Sequence, residues 1–221
     1  GLLTIGVMCG AFLAGAPLAW AVEHQGPSNA LFWIAAFGVL LVVITLLYLR
    51  EPAETEYRPL SDLKKQLKLL VCQPANWLLA LYSGLAFAPL AVFGGLWGTP
   101  FLQTVDHLSK PAAASLLSLS YVGFGLGGPL FGVLADKRKT PYSSMLVGLV
   151  CTAVCLFVVV YWSHNLVLEG IAMLGFGLGT GSFMLGFNLA RHINSLALAG
   201  SIVSFINSGD TVLSAITEPV L

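Results

Sequence analysis

Two carboxylates sit where carboxylates are costly. Asp210 lies in SFINSGDTVLSAIT and Glu169 in LVLEGIAMLGFGLG, each within a stretch of otherwise apolar, small or neutral residues. An ionised side chain at the centre of a bilayer costs roughly 2.5–3.5 kcal/mol or more, so such residues are candidates for function. No lysine or arginine falls in another apolar stretch to neutralise Asp210, so its carboxyl either holds a proton or faces water. Either state suits a group that carries a proton or binds a cation. The plainer alternative is a carboxyl held neutral by its neighbours Asn207 and Thr211. Glu169 stands near one end of its stretch, where it either contacts a solute or coupling ion or reaches back to the interface.

Other residues carry weaker signals. Tyr82 and Trp97 combine apolar area with a polar tip, which suits the lining of a path for an organic solute. In GVLADKRKTP, Asp136, Lys137, Arg138 and Lys139 stand side by side in a chain of which only 9% is charged. Cys151 and Cys155 share a helix face, but no histidine or acid completes a metal site around them. GFGLGG (123–128) matches the dinucleotide fingerprint only formally, because it lacks the preceding strand and the solvated helix start. Small residues at this spacing, there and in GFGLGTGS (175–182), instead let membrane helices approach closely.

Composition sets the medium in which these residues act. The chain has 221 residues, 57% of them hydrophobic; its mean hydropathy is +0.87. So apolar a surface needs lipid as its solvent, which makes this an integral membrane protein. Ten basic residues balance ten acidic ones, which gives no basic surface for nucleic acid. The chain opens without Met, inside an apolar run, and is expected to be a piece of something longer or the ordered part of it.

Seven stretches are long and apolar enough to be helices crossing ~30 Å of hydrocarbon: 1–22, 30–49, 77–101, 112–135, 142–162, 166–190 and 197–217. The expected fold is therefore an all-α polytopic membrane protein with seven transmembrane helices. If they alternate in direction, one side receives 50–76, 136–141 and 191–196, with Arg50, Arg58, Lys64, Lys65, Lys68, Lys137, Arg138, Lys139 and Arg191. The other side receives only Lys110. By the positive-inside rule the three basic loops are cytoplasmic. Within 51–76, Ser61-Asp62 is a helix start, and DLKKQLKLLV places Leu63, Leu67 and Leu70 opposite Lys64, Lys65 and Lys68. That pattern suits a helix on the inner leaflet, which also links two helical bundles.

The hairpin now carries a family resemblance. Gly132, Asp136 and Lys137 match the signature G-x-x-x-D-[RK]-x-G-[RK] of the major facilitator superfamily of secondary transporters, while Lys139 and Thr140 depart from its last two positions. GAFLAGAPLAWAV looks like the family's fifth helix, FGGLWGTPFL like its seventh and AGSIVSFINSGDTV like its eleventh, although an aspartate at 210 is not expected there. The resemblance implies helices five to eleven of a twelve-helix, two-bundle fold. Residues 1–50 would close the N-terminal bundle, 51–76 would be the cytoplasmic inter-bundle loop, and 77–221 would supply five helices of the C-terminal bundle.

It further implies a gating hairpin of Gly132, Asp136 and Lys137, and a central cavity lined by the spans that hold Tyr82, Trp97 and Glu169. Such a protein moves a small organic solute by alternating access. It needs no cofactor beyond an ion gradient, here a proton gradient acting on Asp210 and Glu169. Its partners are the solute, the lipid bilayer and the missing helices of the same transporter, and the membrane is expected to be a bacterial inner membrane. A transport-inactive or truncated scaffold is the alternative. A retinal-type receptor lacks its intramembrane lysine, and an aspartyl intramembrane protease would need a second membrane aspartate. No enzymatic activity is expected.

Overall fold

The structure is a computed structural model that describes residues 10, 16–48, 60–162, 165–195 and 198–218. Most of the expected first span, the linker through residue 59 and His164 lie outside the described residues. The described residues form helices and short connections, as hydrocarbon requires: without water, each backbone N–H and C=O must bond within its own helix.

Helices α1 (Ala16–Gln25) and α2 (Pro27–Tyr48) meet at Gly26, whose φ of +81 is a left-handed conformation open to glycine. Pro27 then starts α2, where a missing N–H leaves no bond unmade. Helix α2 is apolar around its whole circumference and buries only Ala30. Helix α3 (Leu60–Cys72) forms where an amphipathic helix is expected. Leu70 anchors it at 1% exposure, and Lys64, Lys65, Lys68 and also Leu67 are exposed.

The third span runs Pro74–Val105 in three parts: α4 (Pro74–Pro89), a wide π-helical stretch (Leu90–Trp97) and α5 (Gly98–Val105). Helices α6 (Lys110–Arg138) and α7 (Pro141–Tyr161) follow, each with proline in its first turn. The sixth span joins α8 (Leu166–Thr180) to α9 (Met184–Ile193) through a tight 3-10 turn, Gly181–Phe183. Among the described residues five spans are long and apolar enough to cross a membrane: Pro27–Tyr48, Pro74–Val105, Lys110–Arg138, Pro141–Tyr161 and Leu166–Ile193. Helix α10 (Ala199–Thr217) has the length of a span and packs along α4, but Asn207, Ser208, Asp210 and Thr211 dilute its apolarity.

The glycine-rich stretches pack on one another. A Cβ on Gly177 would overlap the Ser120 carbonyl of α6, and one on Gly181 would stand 2.6 Å from the Gly127 carbonyl carbon. From α6, Gly123 and Gly127 abut the backbone of Leu174 and Leu178. On its other side α8 presents Gly179 to α7, where a Cβ would lie 2.8 Å from the Gly148 carbonyl oxygen. Helix α8 is thus wedged between α6 and α7 by backbone-to-backbone contact. Phe87, Phe124, Phe183 and Phe187 fill the centre with ring centroids 5.1–5.9 Å apart.

This packing predicts that Gly177→Leu destabilises the protein by about 3 kcal/mol or fails to fold, since backbone cannot yield as a side chain can. Gly38→Ala, with nothing within 4 Å of its Cβ, should be neutral or stabilising. Thermal unfolding of both variants in detergent checks the contrast.

Candidate functional site

Asp210 is 4% exposed, on the face of α10 that packs against α4. The two helices approach closely through small residues: a Cβ on Gly209 would lie 2.9 Å from Ala80, and Gly84 abuts Leu213. Asp210 faces Ser83 of α4, which is fully buried. Asp210 Oδ1 and Ser83 Oγ are both buried, and neither makes a hydrogen bond of good geometry among the described residues. The alternative in which Asn207 and Thr211 hold the carboxyl is not what forms. Thr211 Oγ1 donates to the Asn207 carbonyl at 3.0 Å, and both residues lie on the exposed side of α10. Ser204 and Ser208 share that face, each hydroxyl donating to a carbonyl one turn back.

Glu169 is in the first turn of α8, where Asn165 Oδ1 caps the helix by accepting from the Val167 N–H at 2.9 Å. Its residue exposure is 2%, so it is buried in the bundle and does not reach out to the interface. Asp210 and Glu169 belong to different helices whose packing does not bring them into one cluster.

Tyr82 and Trp97 also separate. They are on one span, about 20 Å apart along the helix axis at 1.5 Å per residue. Tyr82 Oη donates to the Ser182 carbonyl at 2.9 Å and lies 3.0 Å from Ser182 Oγ. Its polar tip is therefore engaged at the break in the sixth span. Trp97 ends the π-helical stretch and is 43% exposed.

Sequence reasoning missed several polar contacts. The buried Asn76 side chain accepts from Asn194 Nδ2 at 2.9 Å and donates to the Leu70 carbonyl at 3.1 Å. Tyr121 Oη donates to the Gly94 carbonyl at 2.8 Å. Ser83, Asn194, Tyr121 and Ser182 stand in apolar or polar runs with no spacing that marks them. Only the packing of distant helices gives them partners.

The hairpin residues stand at the end of α6. Asp136 and Lys137 are exposed, and Gly132 is half-buried with open space where its Cβ would be. Lys139 closes the helix with φ +56, its N–H donating to the Asp136 carbonyl at 3.3 Å. The family model described as Major Facilitator Superfamily matches residues 1–217. The chain belongs to the Major Facilitator Superfamily. No curated protein matches its sequence. As a member of the superfamily it is a multi-pass integral membrane protein, and the family is one of transporters, not enzymes.

The superfamily signature has glycine where this chain has Lys139, and the left-handed backbone there explains the preference. A residue with a Cβ pays about 1 kcal/mol to adopt it. Lys139→Gly is therefore expected to raise stability by about 1 kcal/mol, read as an upward shift in unfolding temperature. No change would mean that the hairpin adopts another backbone.

Proposed function

We propose that the protein is a secondary active transporter that moves a small organic solute by alternating access and couples this movement to protons. The observation that carries the coupling is the buried Asp210 carboxyl, set between α4 and α10 against Ser83 with no ion pair among the described residues. Protonated, the carboxyl is neutral and compatible with a closed helix interface; ionised, it requires water or a rearrangement of that interface. A proton taken up on one side thus favours one packing of α10 on α4, and its release favours another. Glu169 is the second candidate for coupling.

In this reading the solute path runs beside Trp97 and the exposed polar face of α10, Ser204, Asn207, Ser208 and Thr211, which lipid would solvate poorly. Tyr82 borders it through the sixth span. Residues 51–76 divide two bundles: 1–50 belongs with further helices of the same transporter, and 77–221 forms the larger part of the other. The exposed Asp136 and Lys137, with Gly132, form a gate that closes against the first bundle on the cytoplasmic face of a bacterial inner membrane. Lys64, Lys65 and Lys68 on α3 face anionic lipid there.

The intact protein in liposomes should accumulate a transported solute when a pH gradient is imposed, with proton movement read by a trapped pH dye. Asp210→Asn should abolish accumulation or uncouple solute from proton movement; unchanged gradient-driven accumulation removes Asp210 from the mechanism. Asp136→Asn should leave solute binding intact and change the labelling of single cysteines at the two membrane faces. Identical labelling in that variant would reduce the hairpin to a topology anchor.

A further inference from the structure

The third and sixth spans both depart from regular α-helix near their midpoints. In the third, the turns widen over Leu90–Trp97, where the Gly98 N–H reaches back five residues to the Phe93 carbonyl. Pro89 opens this stretch and Pro100 follows it. Proline has no N–H, so the Leu96 carbonyl, four residues before Pro100, has no donor within the helix. In hydrocarbon such a loss must be met from elsewhere, and irregular turns of this kind often mark functional positions. Within the wide turns themselves, the Gly98 N–H passes over the Gly94 carbonyl to reach Phe93, and Tyr121, on α6, donates its hydroxyl to that Gly94 carbonyl at 2.8 Å. Glycine at 94 keeps the approach open, since a Cβ would stand 3.3 Å from the Tyr121 oxygen.

The two halves of the third span are held differently. The half before the π-helical stretch is fastened at several points. Asn76 and Asn194 join it to the end of α9, and the Tyr82 hydroxyl joins it to Ser182. Gly84 and Gly209 bring it against the backbone and side chains of α10. The half after the stretch rests on softer contacts. Gly98 meets the flexible end of Leu117, 2.7 Å from where a Cβ would be, and Leu102 is buried in the core. Among the described residues, Tyr121 makes the one side-chain hydrogen bond that ties the stretch itself to another helix.

We propose that Leu90–Trp97 is a hinge on which Gly98–Val105 swings, carrying Trp97 with it, and that the Tyr121 hydroxyl latches the hinge in the conformation described. Tyr121 is a positioning residue: it acts through the Gly94 carbonyl and not through contact with solute. Tyr82 belongs to the fixed half. The proposal rests on the alternating-access reading but is independent of proton coupling.

Tyr121→Phe removes the latch and keeps the ring. In the intact protein in nanodiscs, hydrogen exchange at the amides of residues 94–99 should rise about fivefold, the effect of losing one ordinary hydrogen bond. Exchange over residues 75–88 should not change. Spin labels at Val105 and Trp162, both exposed helix-end residues, should show two distance populations in the parent protein and a shifted ratio in Tyr121→Phe. Tyr82→Phe should instead raise exchange near 182–187 and leave that ratio alone. Exchange that rises evenly along 74–105, or a ratio unmoved in Tyr121→Phe, overturns the latch. A single Val105–Trp162 population in a protein that still moves solute under a gradient overturns the hinge and leaves alternating access standing. A single population without such flux removes both.

Discussion

Hydrocarbon offers no hydrogen bonds, and this constraint shapes every part of the molecule. It compels the chain into helices, because only there does each backbone group find a partner in its own segment. It also makes each departure from regular helix costly unless a neighbour supplies the lost bond. The break at Gly181–Phe183 has Tyr82, and the wide turns at Leu90–Trp97 have Tyr121. A hydrogen bond that would be minor in water thus decides where a span can be irregular.

The same medium removes the hydrophobic drive for helix association and leaves contact area in its place. Gly123 and Gly127 on α6, Gly177, Gly179 and Gly181 in the sixth span, and Gly148 on α7 bring three backbones into direct contact. That wedge is rigid because backbone faces backbone. The third span rests beside it on larger side chains, with Phe87 stacked on Phe183. A rigid wedge and a softer neighbour with a discontinuity are the parts that a moving transporter needs. Into the close interface between the first half of that span and α10 the chain sets one carboxyl, Asp210.

Much of this was legible in the sequence, for physical reasons that differ by element. Apolar length alone located the five spans seen among the described residues to within a few residues, so that the stretch expected over 112–135 is the helix Lys110–Arg138. Asp210 and Glu169 stood out because charge is rare in such stretches, and both prove buried. The glycine spacing foretold close packing but not which helices would meet. Alternating charge and leucine marked α3, although only Leu70 of the residues whose side chains are described is buried there. What stayed hidden were contacts between distant residues: Ser83 beside Asp210, and the amide pair of Asn76 and Asn194, 118 positions apart. No local pattern encodes these, since a hydroxyl or amide acquires its partner only when two spans cross. Ser182 on the hydroxyl of Tyr82, a residue expected as a solute contact, was hidden for the same reason.

Proton coupling as proposed requires Asp210 to change its protonation within the protein. Infrared difference spectroscopy of the reconstituted protein, stepped across the physiological pH range, measures this directly through the C=O stretch of a protonated carboxyl. A coupling carboxyl at Asp210 gives a band that changes with pH, moves on exchange into deuterated water and vanishes in Asp210→Asn. A spectrum without such a band, or one in which the band survives unchanged in Asp210→Asn, would contradict it.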